Sequence, residues 1–152
     1  MSDNSLREQL VGAWALVSCV ERDIETGVES HPLGERPLGL ILYTPDGYMS
    51  AQLQRPERPP FAEGDLLHAT PEEYAAAGSS YIAYSGRFFV DEGKKSLFHE
   101  MVVSFFPNWV GQREVRLVEL NGDHLHLSPD GPQRLNGVLK TVMLSWRRAQ
   151  PN

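Results

Sequence analysis

From Gly12 onward, apolar and polar positions along the chain alternate with a period of two over most of its length, the signature of half-buried strands. In Tyr81 to Val90 the apolar set is Ile82, Tyr84, Gly86, Phe88 and Val90, with Ser85 and Arg87 on the opposite face. In the strand running from Ser96 to Phe106, His99, Met101, Val103 and Phe105 share one face, and Glu100 and Ser104 the other. Gly12, Trp14 and Leu16 are cofacial in a strand over Gly12 to Arg22. Further strands are predicted at Leu40–Tyr43, Tyr48–Gln54, Gln112–Leu120, His124–Ser128 and Leu139–Arg147. Turns fall at Glu25-Thr26-Gly27, Pro45-Asp46-Gly47, Asp91-Glu92-Gly93, Asn121-Gly122-Asp123 and Pro129-Asp130-Gly131. Roughly eight to ten strands with hairpin-length connections make an antiparallel meander. For Gln112–Leu120 and Leu139–Arg147 both faces are mixed, and alternation does not choose the inward one.

Two short helices interrupt this pattern. Residues 1–10 read as a helical lead-in, with Asn4 or Ser5 as N-cap and Leu6, Leu10 and Val11 on one side. Thr70-Pro71-Glu72-Glu73 is a helix start with a capping box, and the helix is expected from Pro71 to about Ala77, ended by Gly78. Pro32-Leu33-Gly34 and Pro37-Leu38-Gly39 form a stiff non-helical connection. Arg55 to Leu67, with Pro56, Pro59 and Pro60, is excluded from a sheet interior and is a candidate gate at a barrel mouth. The opening Gly12-Ala13-Trp14 and the closing Trp146-Arg147-Arg148 suggest that first and last strands meet. Trp14 and the Trp146-Arg147 pair would then seal one end, with a guanidinium stacked on an indole, and function would lie at the opposite mouth.

Composition narrows the partners. A chain of 152 residues, 41% hydrophobic and 22% charged, is expected to form one domain over 1–152. A net charge of −6 argues against nucleic acid and against an anionic membrane surface. With no apolar run of transmembrane length, and no apolar signal core in the first residues, a cytoplasmic location is expected. Cys19 is the only cysteine, which excludes an intrachain disulfide and fits a reducing compartment; its apolar strand makes it a packing residue.

Candidate chemistry concentrates in a few residues. Phe105-Phe106-Pro107-Asn108-Trp109-Val110-Gly111-Gln112 brackets an Asn-Trp pair with proline and glycine, a corner between strands. Trp109 and Asn108 there either contact a small organic ligand or plug the barrel. His99, on a face with Met101, Val103 and Phe105, is a candidate general base or carbonyl-orienting group, or else a core histidine. Arg116 is a candidate anion or carbonyl partner in the same lumen, with Arg113 and Arg116 alternatively on the surface. Tyr43, Tyr48 and Tyr84 are further donors, and Phe88 adds to the apolar lining. His124 and His126 share a face, but their alternation with Leu125 and Leu127 turns them to water, so no metal site is expected. No phosphate loop, dinucleotide fingerprint or nucleophile elbow occurs, and no cofactor is expected.

Four runs carry a resemblance: Leu10-Val11-Gly12-Ala13-Trp14-Ala15-Leu16-Val17-Ser18, Leu42-Tyr43-Thr44-Pro45-Asp46-Gly47-Tyr48-Met49-Ser50-Ala51, Tyr81-Ile82-Ala83-Tyr84-Ser85-Gly86 and Phe106-Pro107-Asn108-Trp109-Val110-Gly111. Through them the chain, from about residue 6 to 148, resembles the lipocalin-like domain family. The resemblance implies an all-β, antiparallel up-and-down calycin-type barrel with a central cavity, and it implies no single activity. The leading expectation is a protein that binds a small hydrophobic molecule, with Trp109, Asn108, Tyr48, Tyr43, Met101, Phe105 and Phe88 around it. The alternative is a cofactor-free isomerase or cyclase of polyketide- or terpenoid-like secondary metabolites, with His99, Tyr84 and Arg116 as catalytic residues. A homodimeric structural barrel is the remaining reading.

Overall fold

A meander must either leave two sheet edges open or bring its ends together, and this chain does the second. The computed structural model describes residues 4–152. After helix α1 (Leu6–Leu10) come strands β1 (Gly12–Asp23), β2 (Glu29–Ser30), β3 (Leu38–Tyr43) and β4 (Tyr48–Gln54). Helix α2 (Pro71–Ser79) precedes β5 (Tyr81–Asp91) and β6 (Ser96–Ser104), and a short 3-10 turn (Pro107–Trp109) leads on to β7 (Arg113–Asn121). Strands β8 (His124–Pro129), β9 (Gln133–Leu135) and β10 (Val138–Arg148) complete the chain. The sheet order is β2-β1-β3-β4-β5-β6-β7-β8-β10-β9, and β10 also pairs with β1, placing Leu16 opposite Trp146 and Trp14 opposite Arg148. With β2 and β9 as appendages, the other strands close a barrel and leave it no free edge.

The helices start where their caps require. Ser5 accepts from the Glu8 N–H while Glu8 returns a bond to the Ser5 N–H, and Thr70 and Glu73 do the same for α2. Residues 1–3 of the expected lead-in lie outside the described residues. Helix α2 runs through Gly78 to Ser79 rather than stopping at the glycine. A Cβ at Gly78 would meet the Phe105 ring at 3.4 Å, ordinary van der Waals contact. The short strands β2 and β9 carry too few residues for a period to be read.

One end of the barrel is sealed. The Trp14 indole donates to the Leu10 carbonyl (2.9 Å), and the guanidinium that lies over its ring, 4.1 Å from the centroid, belongs to Arg148. This corrects the expectation for Arg147, whose side chain is exposed: inward positions on β10 are the even-numbered ones. Arg148 also donates to the carbonyls of Val11 (3.1 Å) and Gln9 (2.6 Å), satisfying groups left open where α1 ends. Leu6 and Arg7 give their N–H groups to Glu92, so α1 is tied across to the β5–β6 turn. Leu10, Trp14, Trp146 and Leu125 are buried beneath it.

The two undecided strands resolve by register. Because His99 pairs with Glu114 and Leu97 with Arg116, the inward set on β7 is Glu114, Arg116, Val118 and Leu120. Pairing of Leu144 with Leu127 and of Trp146 with Leu125 puts Lys140, Val142, Leu144 and Trp146 inside. Among the described residues no helix is long and apolar enough to cross a membrane.

Candidate functional site

His99 leads the site. Strand β6 turns its imidazole into the barrel, where it is fully buried and its Nε2 pairs with the Tyr43 hydroxyl at 2.8 Å. Phe88 meets Tyr43 edge-on with ring centroids 4.8 Å apart, and Met101 is buried beside them. His99, Tyr43, Phe88 and Met101 retain at most 2% of their surface, so the space around the imidazole is filled by side chains. Burial above all, with Arg116 as the second cause, lowers the His99 pKa to about 3, so the ring is neutral at physiological pH. Its Nδ1 has no hydrogen-bond partner among the described residues, and neither has the Trp146 Nε1.

A second polar group lies beside it. Arg116 is 5% exposed; it donates to the Val115 carbonyl (2.9 Å) and stands 3.8 Å from the Glu114 carboxylate. Burial raises the Tyr84 pKa, and the Arg116 guanidinium opposes that rise. Burial likewise holds Tyr43 well above the ordinary phenol range, so both tyrosines stay protonated. A guanidinium has five N–H donors, and one backbone bond and one long ion pair leave several of them for another acceptor. A depression of about 220 Å³ lined by Glu114, Arg116, Pro129, Asp130 and Gln133 opens toward this group from outside.

The corner at Pro107–Trp109 covers the other side. Trp109 stands edge-on to Tyr84 (5.5 Å between centroids) and to Phe106 (5.5 Å). Glycine 111 donates to the Met101 carbonyl (2.8 Å) and Met101 to the Gln112 carbonyl (3.0 Å), so the corner is pinned to the end of β6.

The structure therefore gathers His99, Tyr84 and Arg116, with Tyr43, Met101, Phe88 and Trp109, in and against the barrel interior. It does not bring Tyr48, Phe105 or Asn108 there: Tyr48 and Phe105 point outward, half exposed, and Asn108 is exposed on the corner. Tyr48 is outward because the inward positions of β4 are Met49, Ala51 and Leu53. Phe105 changes side through a bulge: Met101 pairs with Gly86 but Val103 with Ser85, so one extra residue on β6 inverts the alternation. The bulge brings the Glu100 carbonyl so close to Gly86 that a Cβ there would lie 1.9 Å from it. His126 donates to or accepts from Ser145 Oγ (2.9 Å) on the outside, and Leu125 and Leu127 are the buried pair, as their alternation implied. Arg113 is a surface residue, 3.2 Å from Glu100 and stacked over Phe98. Among the described residues no group of three or more His, Cys, Asp or Glu side chains is placed to hold a metal ion.

Two inward charged groups went unread in the sequence. Glu114 neighbours Arg116, and Lys140 and Glu21 form a largely buried ion pair at 2.9 Å between β10 and β1. The only signal was the two-residue spacing of Glu114 and Arg116, which any surface strand also shows. The proline-rich segment is held at its base: Arg58 donates to Ser80 Oγ (2.9 Å) and to the Ala77 carbonyl (2.9 Å), and Glu73 accepts from the Ala62 N–H (2.8 Å).

With the closed barrel and its inward polar group described, the comparison with known proteins is decisive for kinship. Residues 11–149, nearly the whole chain, match the model of the lipocalin-like domain. The chain belongs to the lipocalin-like domain family. A curated relative in Aspergillus oryzae, the 4'-hydroxy-3'-methoxypropiophenone carrier protein ppsC, is 38% identical over 106 residues, covering 66% of this chain and 96% of the relative. This member of the family thus shares its fold with a protein named for carrying an aryl ketone.

Proposed function

We propose that this lipocalin-like protein binds a small, largely apolar aromatic molecule whose carbonyl or phenolic oxygen is taken up by the Arg116–Tyr84 group. The observation that carries the reading is a buried guanidinium with donors to spare beside a protonated tyrosine in the barrel interior. An isolated buried charge is costly, and an oxygen acceptor from a ligand supplies the pairing that Glu114 at 3.8 Å provides only in part. The kinship with an aryl-ketone carrier supports the same ligand class. Because side chains fill the space beside His99, ligand entry requires Trp109 to leave its edge-on contact with Tyr84 and open the interior, and the indole then stacks on the ligand.

Titration calorimetry with 4'-hydroxy-3'-methoxypropiophenone, and with the same arene bearing a propyl chain without the ketone, tests this. One-to-one binding of the ketone, tighter than the propyl analogue, is expected. Arg116→Met should weaken ketone binding by roughly 10-fold or more, from the loss of a charge-assisted hydrogen bond. Equal affinities for both compounds, or Arg116→Met binding as wild type does, would contradict the proposal. A catalytic reading draws on the neutral His99 with its unpartnered Nδ1. Recovery of the ligand chemically unchanged after prolonged incubation with the protein would count against it.

A further inference from the structure

The hydrogen-bonding groups left open around Arg116 are donors. Arg116 spends one of its N–H groups on the Val115 carbonyl (2.9 Å), and the Glu114 carboxylate, at 3.8 Å, is beyond hydrogen-bond length. Tyr84 stands beside the guanidinium, 5% exposed and protonated. The third donor follows from the Tyr43–His99 bond of 2.8 Å. A phenol is a far stronger hydrogen-bond donor than a neutral imidazole, so Tyr43 donates to Nε2 and the ring proton of His99 sits on Nδ1. That Nδ1–H is buried and meets no acceptor among the described residues, and its ring lies 5.9 Å from the Tyr84 ring.

A ligand oxygen that completes this set has to accept hydrogen bonds. A neutral phenol brings a proton of its own, whose one candidate acceptor, Glu114, is already turned to Arg116. A phenolate brings only lone pairs, together with the charge that the guanidinium lacks. The surroundings favour the anion. Tyr43 from β3, Tyr84 from β5 and the Cys19 thiol from β1 keep their protons because burial raises all three, and burial keeps His99 from β6 neutral. Glu21, further along β1, is taken up by Lys140 at 2.9 Å. Glu114 opposes an anion, but its side chain is 22% exposed against 6% for Arg116, and it lines the depression that opens outward. Water screens Glu114 there, and an oxygen bonded to Arg116 sits closer to the positive charge than Glu114 does.

Building on the ligand site proposed above, and standing only with it, we propose that the protein holds a phenolic ligand as its phenolate, with Arg116, the Tyr84 hydroxyl and His99 Nδ1–H as the donors to the oxygen. The donor set then serves the bound oxyanion as an oxyanion hole serves a developing one. The preferred ligands are phenols acidified by a conjugated carbonyl, since these give up their proton to solvent at least cost. In such a ligand the ketone raises affinity through the acidity of the phenol, without itself touching Arg116.

Absorbance tests it, because ionisation moves the band of a 4-acylphenol to longer wavelength. 4'-Hydroxy-3'-methoxypropiophenone is titrated with base, free and with the full chain in excess. In the complex its phenol pKa should fall by about one unit or more below that of the free compound. Its 4'-O-methyl ether, which cannot ionise, should bind roughly 10-fold more weakly or worse at neutral pH. Arg116→Lys keeps the charge and should keep part of the fall, whereas Arg116→Met, saturated with the phenol, should return the ligand pKa to the free value or above it. Calorimetry on the same samples separates two failures. A phenol that binds with its pKa unchanged or raised, or a methyl ether that binds as tightly, overturns the phenolate assignment and leaves the ligand site standing. A phenol that does not bind at all overturns both.

Discussion

His99 gives this protein a pH dependence that can be worked out in advance. In the unfolded chain the imidazole titrates near its ordinary value of 6.5, and in the fold burial lowers that to about 3. The neutral form is therefore favoured by the fold, and the stability it contributes is complete above pH 6.5. As the pH falls below 6.5 the unfolded state takes up a proton that the native state refuses. Each pH unit then costs about 1.4 kcal/mol until the native group itself titrates near pH 3. At pH 4.5 the loss is about 2.7 kcal/mol, a large share of the stability of a domain this size. His99→Gln keeps a polar partner for the Tyr43 hydroxyl but does not titrate. It should lower stability at pH 7.5 by about 1–3 kcal/mol through imperfect packing and pairing. Its stability should then fall less steeply than wild type between pH 6.5 and 4.5, the two curves converging by about 2.7 kcal/mol. Urea unfolding at half-unit pH intervals measures both curves. Parallel curves would refute the reasoning, as would a native His99 signal that titrates above pH 5 by NMR. Asp23 and Glu73, whose pKa values are lowered by backbone N–H donors, add acid sensitivity to both proteins and cancel in the difference.

Other expectations follow from single geometries. Gly86→Ala places a Cβ 1.9 Å from the Glu100 carbonyl and must disrupt the bulge, lowering stability by about 3 kcal/mol or more in chemical denaturation. The Cys19 thiol, pushed up to about 11 chiefly by burial and then by Glu21, should react with a disulfide reagent at pH 8 at least 100-fold more slowly in native than in unfolded protein; equal rates would contradict its burial. Arg148→Met removes the stack on Trp14 and the bonds to the Gln9 and Val11 carbonyls. A loss of about 2–3 kcal/mol is expected by urea titration, with faster hydrogen exchange in α1.

Much of this architecture could be read before folding because it rests on local rules. Alternation named the inward faces of β5 and the first half of β6, and the capping boxes at Ser5 and Thr70 marked both helix starts. The Gly-x-Trp opening anticipated a closed end built on Trp14. What local rules missed has one cause, a change of register. The extra residue on β6 between Met101 and Val103 moved Phe105 from the lumen to the outside, where it rests on Gly78. The guanidinium over Trp14 is Arg148, because the inward parity of β10 is set by its partners β1 and β8 and not by its own mixed pattern.

The candidate site divides along the same line. That His99 sits on an apolar face, and that Trp109 lies on a corner, are properties of a few neighbouring residues, which a period or a proline–glycine bracket reveals. That the His99 ring bonds Tyr43, which lies 56 residues earlier, and that Arg116 stands beside Tyr84 with Glu114, are properties of strands meeting around a barrel. A mixed strand such as β7 reads equally well in either direction, since a charge turned inward and a charge turned to water leave the same two-residue pattern. Only closure of the sheet, which joins β10 to β1 and sets each strand's tilt against its neighbours, decides which charges are buried and therefore which can act.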